Sequence, residues 1–369
     1  MSAGKKIWQT SWRLGLCLLL LGWIFHAIFL KEARTDIGAK AWDKYSWTEQ
    51  ARAAWAHGPP RLWTTLTMVG PGAAGLSVLL MGLTILLGIA RWRIVLRVQG
   101  FELSWGRTTE ISLVAHFFNS FLLGSTGGDL MKAYYAARET HHKKTEAVVT
   151  VFVDRLLGLW AMLLFGGVMM MPNLSLLFSN PHFRSLALLI LGMMAACTGL
   201  VVVAFWGGVS RGWSGSRLWL RRLPKGEWLE RSLDSCRQFG REPFFISRTL
   251  CISMALNAVC VLQVLVLSRG LGLTIPPLFL FVIVPMIICI SALPITPSGL
   301  GVRENLFVFM LAESSIGVSD TAALSLSLLA YAGSLFWSLC GGLVYSMFKV
   351  RHHLVKAELE EGDAGMTNA

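Results

Sequence analysis

Several stretches of this chain are apolar over the length a helix needs to cross a bilayer. Leu14–Leu30, Gly75–Ile89 with its apolar approach, and Leu186–Phe205 are three of them. A run of ~18–20 apolar residues spans a ~30 Å hydrocarbon core as an α-helix. In lipid the backbone must satisfy its own hydrogen bonds, so such runs are helical. Composition agrees: 54% of the residues are hydrophobic and 15% are charged, against about a quarter charged in soluble domains. Soluble, fibrous and disordered classes are excluded, and the fold class is an all-α polytopic integral membrane protein.

Spans are predicted near 14–30, 66–90, 147–171, 185–206, 247–268, 276–293, 303–316 and 322–347, about eight transmembrane helices in all. A shorter apolar segment, 110–124, contains His116 and Asn119 and ends in Gly124-Ser-Thr-Gly-Gly-Asp129. With about 15 apolar-leaning residues it reads as a re-entrant half-helix. Placing the N-terminus inside and returning 110–124 to its own side gives the cytoplasmic segments 23 of the 33 Lys and Arg, nine of them in 207–248. Full crossing by 110–124 would put that loop outside, against the positive-inside rule. Both termini are thus expected in the cytoplasm. The net charge of +12 is then a topology signal facing anionic headgroups, and nucleic acid is not an expected partner. Lys5, Lys6 and Arg13 before Leu14–Leu30 imitate a secretory signal. That apolar run is too long and lacks a small-residue cleavage site, so it reads as an uncleaved first span.

Three regions follow from this reading. Residues 1–65 hold the first span and an external loop, 66–347 the transmembrane domain, and 348–369 a cytoplasmic tail. In the loop, Trp47, Ala51, Ala54 and Trp55 share a helical face, which predicts an amphipathic helix lying on the membrane.

Two Gly- and Pro-broken segments carry the chemistry. One runs from Asn119 through Gly127, Gly128 and Asp129 to Lys132; the other runs from Leu293 through Pro294, Thr296, Gly299 and Arg303 to Glu304. Each follows an apolar run, breaks it with small residues and opens a new helix with charged ones. Paired broken helices in corresponding halves of a membrane protein point to a transport site and to an inverted repeat. An opened helix N-terminus favours a phosphate or carboxylate, and Lys132 and Arg303 would add positive charge there. The competing reading is a pair of turns that merely reverse the chain. A third feature is Glu146, Thr150, Asp154 and Gly158, spaced by four and so on one helix face. Asp154 lies two turns into an apolar helix, where a charge is costly and marks function by default. Arg155 points about 100° away from it.

Other signals are bland. Cys17, Cys197, Cys251, Cys260, Cys289 and Cys340 lie in apolar runs, and Cys236 lies in a polar loop. Their spacing fits neither a disulfide framework nor a metal site. His141-His142-Lys143-Lys144 and Arg351-His352-His353 read as basic topology flanks. No metal and no cofactor is expected.

At the Gly128-Asp129 segment, the Asp154-Arg155 helix and the Pro294–Glu304 segment, the chain resembles the lysylphosphatidylglycerol synthase transmembrane-domain family, which includes stand-alone flippase-like proteins. The likeness covers roughly residues 66–347. Family members more often carry Gly where Ser298 stands and a Pro near Leu123 or Ser125. The resemblance implies binding or movement of polar lipids in a bacterial or archaeal plasma membrane. It carries over charged positions only at Asp129, Asp154, Arg155, Arg303 and Glu304. The soluble aminoacyl-transferase domain of the fused synthases is not seen, so lysyl transfer is not expected.

The leading expectation is a lipid translocase, or a lipid-binding transport component, for a polar lipid of anionic or polyprenyl type. Lys132, Arg155 and Arg303 would attract its phosphate, while Asp129, Asp154 and Glu304 would hold those cations. Alternatives are a polytopic lipid-linked glycosyl- or phospho-transferase and a non-transporting scaffold of an envelope-lipid complex. Membrane lipids are the expected partners, with a second copy of the chain or lipid-biosynthesis enzymes as further candidates.

Overall fold

The computed structural model describes residues 22–23, 25–30, 33–34, 36–121, 127–139, 144–179, 181–206, 235–293, 299, 301–312 and 317–366. These residues are mostly helical, with no strand among them. The principal helices are α1 (Trp47–Thr67), α2 (Pro71–Val98), α3 (Trp105–Phe121), α4 (Gly127–Glu139), α5 (Lys144–Met170), α6 (Pro181–Trp206), α7 (Phe245–Gly270), α8 (Pro277–Ser291), α9 (Val302–Ala312) and α10 (Asp320–Met366).

Five stretches among the described residues are long and apolar enough to cross a membrane: Pro71–Val98, Thr145–Met170, Phe183–Phe205, Phe245–Gly270 and Asp320–Met347. They overlap five predicted spans, and the protein is a multi-pass, all-helical membrane protein. The span expected at 276–293 takes a shorter form: α8 has 15 residues, or about 22 Å at 1.5 Å per residue, short of a ~30 Å core. The span expected at 303–316 lies partly outside the described residues, and its described part is α9, of 11 residues. α8 is buried at ten positions between Phe279 and Ile290, and a helix apolar all round belongs inside a bundle. The first predicted span lies mostly outside the described residues, as does most of the 207–248 loop.

Small residues bring the helices together, as expected where lipid removes the hydrophobic drive between them. A Cβ on Gly341 of α10 would lie 2.1 Å from the Leu113 carbonyl oxygen of α3. Gly82 of α2 receives the Trp337 indole, whose Nε1 donates to the Val78 carbonyl at 2.9 Å. α2 also packs closely along α7.

Two expectations about the flanks change. In the face assigned to the membrane surface, Trp47 and Trp55 are exposed but Ala54 is buried, packed with Phe29, Trp42 and Leu324. α1 thus docks partly on the bundle, because a side chain as small as Ala54 allows close approach. At its start the Ser46 N–H and hydroxyl both donate to the Glu49 carboxylate at 2.8 Å, which holds that carboxyl below its ordinary value. Cys236, read as lying in an open polar loop, is buried. It sits on a helical stretch, 235–241, beside Phe239, whose ring meets those of Phe205 and Phe245. Those aromatic contacts pull the end of a cation-rich loop into the core.

Candidate functional site

The two helices that flank the first break, α3 and α4, pack as an antiparallel hairpin. At the end nearest the break the Gly128 N–H donates to Asn119 Oδ1 at 2.9 Å. At its base Arg107 Nε donates to Glu139 Oε1 at 2.9 Å. Gly127 and Gly128 are buried at the start of α4, and a Cβ on Gly128 would lie 2.0 Å from the Ala115 carbonyl oxygen. Only glycine permits that contact.

α4 presents Asp129 and Lys132, one turn apart, to the adjacent residues Asp154 and Arg155 of α5. Two ion pairs of opposite sense result. Arg155 Nε donates to Asp129 Oδ2 at 2.6 Å, and Lys132 Nζ donates to Asp154 Oδ2 at 2.9 Å. The second oxygen of Asp154 accepts from Arg91 Nε of α2 at 2.8 Å. Arg91 also donates from Nη1 to Ser253 Oγ of α7 at 3.1 Å, and the Lys132 ammonium lies 4.1 Å above the Trp92 ring. One buried carboxylate therefore joins α2, α4 and α5, and through Arg91 also α7.

The four-residue spacing of Thr150, Asp154 and Gly158 has a structural explanation here. All three meet α2. Thr150 Oγ1 accepts from Trp92 Nε1 at 3.4 Å and donates to the Ala147 carbonyl at 2.7 Å. A Cβ on Gly158 would lie 2.9 Å from the Arg91 guanidinium nitrogens, so glycine makes room for that side chain. Thr150 therefore supports the Trp92 ring beneath Lys132.

After the second break, the start of α9 is capped locally. Gly299 and Gly301 have φ of +69° and +84°, a backbone region that disfavours side chains. Glu304 is fully buried in the first turn of α9. Its Oε2 accepts from the Gly301 N–H at 2.6 Å, the return arm of a capping box. Its other oxygen accepts from Arg303 Nη2. Arg303 Nε donates to Ser327 Oγ at 3.3 Å, and its guanidinium lies 4.4 Å from the Tyr331 ring centroid. Thr296 lies outside the described residues.

Both breaks reach one cavity of about 320 Å³. His116, Asn119 and Ser120 line it from α3, Arg155 from α5, Gln263 from α7, Arg303 from α9, and Tyr331 and Ser334 from α10. Met81, Val264, Val284, Ile288 and Phe307 supply an apolar side. Two guanidinium groups line this space, and no carboxylate does among the described residues. Asp129, Lys132, Asp154 and Glu304 are not among the residues that line it, but Asp129 and Glu304 each hold a cation that does.

A family model of the lysylphosphatidylglycerol synthase TM region matches residues 48–341. The chain belongs to that family. The matched range takes in both breaks, the Asp154–Arg155 pair and every residue that lines the cavity. Membership in the lysylphosphatidylglycerol synthase TM-region family points to a membrane-lipid-related function. No curated protein matches the chain.

Sequence reasoning missed Arg91, the second partner of Asp154. It stands at the end of a long apolar run beside Trp92 and Arg93, where arginines ordinarily snorkel to headgroups. The available signal was the neighbouring Asp154, an intramembrane anion that needs a partner. Gln263, Tyr331 and Ser334 were missed because each is a single uncharged polar residue among several scattered along a membrane-spanning helix, with no break or charge beside it.

Proposed function

We propose that this protein binds and translocates a polar lipid with an anionic, phosphate-bearing headgroup, a class that includes polyprenyl phosphates. One observation carries the reading. A cavity shared by the two breaks is lined by Arg155 and Arg303, by several neutral polar groups and by an apolar wall, with no carboxylate among the described lining residues. Guanidinium groups bind phosphate oxygens in a forked geometry, and Val284, Ile288 and Phe307 offer an apolar surface to the adjoining hydrocarbon. The α3–α4 hairpin acts as a re-entrant element. Its base is tied by Arg107 and Glu139, so the chain returns to the side it left, as the distribution of Lys and Arg requires. Broken backbone is tolerated at membrane depth where it lines a polar cavity. The protein resides in a bacterial or archaeal plasma membrane, with both termini cytoplasmic.

Liposomes containing the full-length protein test this. Fluorescent phosphatidylglycerol should cross between leaflets faster than in protein-free vesicles and faster than phosphatidylcholine. Arg303→Ala should slow that movement at least about tenfold, the effect of losing one charge-assisted contact of ~1.4 kcal/mol or more, while the variant still inserts. If no lipid from a broad panel is bound or moved, translocation is wrong and the scaffold alternative stands.

A further inference from the structure

We infer that Asp129 competes with the headgroup phosphate for Arg155, and so sets how tightly the cavity holds an anion. The inference rests on the anionic-lipid reading above. Arg155 lines the cavity with 53% of its side chain exposed, while its Nε donates to Asp129 Oδ2 at 2.6 Å. Asp129 is not among the lining residues. A guanidinium offers the same donors to a carboxylate and to a phosphate, so an entering headgroup can take Asp129's place on Arg155. Half-exposed ion pairs are weak, which makes this exchange inexpensive.

The neighbouring pair behaves otherwise. Asp154 is buried and accepts from both Lys132 and Arg91, and a buried carboxylate serving two cations is costly to disrupt. Lys132 lies one turn from Asp129 on α4, so its bond to Asp154 keeps α4 seated while Arg155 changes partner. Asp129 then remains in the first turn of α4, where the positive end of the helix dipole stabilises the released charge. Adjacent residues of α5 thus divide the work: Asp154 anchors, and Arg155 exchanges.

The recognised chemistry is a phosphate group, which a lipid headgroup and inorganic phosphate both carry. Nanodiscs of phosphatidylcholine holding the full-length protein would be titrated with short-chain fluorescent phosphatidylglycerol and, separately, with inorganic phosphate. Asp129→Asn should tighten phosphatidylglycerol binding about three- to fivefold, the scale of a partly exposed ion pair. Arg155→Gln should weaken binding, and in that background Asp129→Asn should have no effect. Asp129→Ser, which keeps a polar group in the first helical turn, should reproduce the tightening if the Asn variant does not purify. Unchanged or weaker binding in the Asp129 variants, with Arg303→Gln still weakening it, overturns the exchange and spares the anionic-lipid reading. Tightening that persists without Arg155 also overturns it, because Asp129 would then act through its field alone. Tightening for inorganic phosphate but not for phosphatidylglycerol assigns the site to a free ion and overturns the lipid form. If the protein shows no preference for phosphatidylglycerol over phosphatidylcholine and Arg303→Gln changes nothing, the anionic-lipid reading fails and the exchange falls with it.

Discussion

At the first break, the ion pairs of Asp129 and Lys132 run to another helix; at the second, Arg303 and Glu304 pair with each other inside one turn. The first arrangement is a tertiary clamp. Asp154 ties α4 and α2 to α5, and the Gly128 contact with α3 fixes the hairpin against that clamp. The second is a local cap. Glu304 closes the N-terminus of α9 through Gly301 and steadies the arginine that reaches the cavity. The first break should therefore matter most for holding the bundle together, and the second for presenting charge to a ligand.

The largest expected effect tests the clamp. Asp154→Ala leaves Arg91 and Lys132, each with only 12% of its side chain exposed, with no anion between them. Breaking a buried pair in this way costs about 3–5 kcal/mol, which should appear as a sharp fall in yield and in the thermal unfolding midpoint in detergent. Lys132→Met leaves one cation facing one carboxylate and should lower the midpoint clearly less. If the two variants are equally unstable, Asp154 is not the shared hub. Gly128→Ala comes next. A Cβ placed 2.0 Å from the Ala115 carbonyl oxygen must push α4 off α3, at about 1–3 kcal/mol for overpacking. Protease protection of the 107–139 hairpin would report the loosening, and unchanged protection would argue against a tightly closed tip.

Much of this comparison was legible in the sequence, for identifiable reasons. Bilayer thickness fixes the length of a spanning helix, so Pro71–Val98 and Phe245–Gly270 announced themselves by hydropathy. Asp154 stood out because charge is rare inside an apolar helix, and Asp129 and Lys132 because they follow a Gly-rich break. The pairing pattern was less accessible. Whether Glu304 meets Arg303 or Lys132 depends on the turn geometry after Gly301. Arg91 was hidden by its place at a span's end. Thr150 stood out only by its four-residue spacing with Asp154, and that spacing matches α2, where its hydroxyl meets the Trp92 indole. Met81 and Tyr331 lie 250 residues apart and share the cavity only after folding.

Smaller effects sharpen the contrast. Glu304→Gln keeps an acceptor for the Gly301 N–H but removes the charge beside Arg303. It should slow phosphatidylglycerol movement several-fold while lowering the unfolding midpoint less than Asp154→Ala does. A stability loss equal to that of Asp154→Ala would erase the distinction between cap and clamp. Thr150→Val, which preserves volume and removes one hydrogen bond to Trp92, should cost about 1 kcal/mol and leave lipid movement nearly intact. A transport defect at constant stability would place Thr150 in the ligand path.

Intact-lipid mass spectrometry on gently purified protein tests the central claim most directly. The wild type should carry anionic phospholipids or polyprenyl phosphates in excess over their share of the host membrane, and Arg303→Gln should lose that excess while keeping its fold. A wild-type lipid profile equal to that of the bulk membrane, or one unaltered by Arg303→Gln, would contradict an anion-selective cavity between the two breaks.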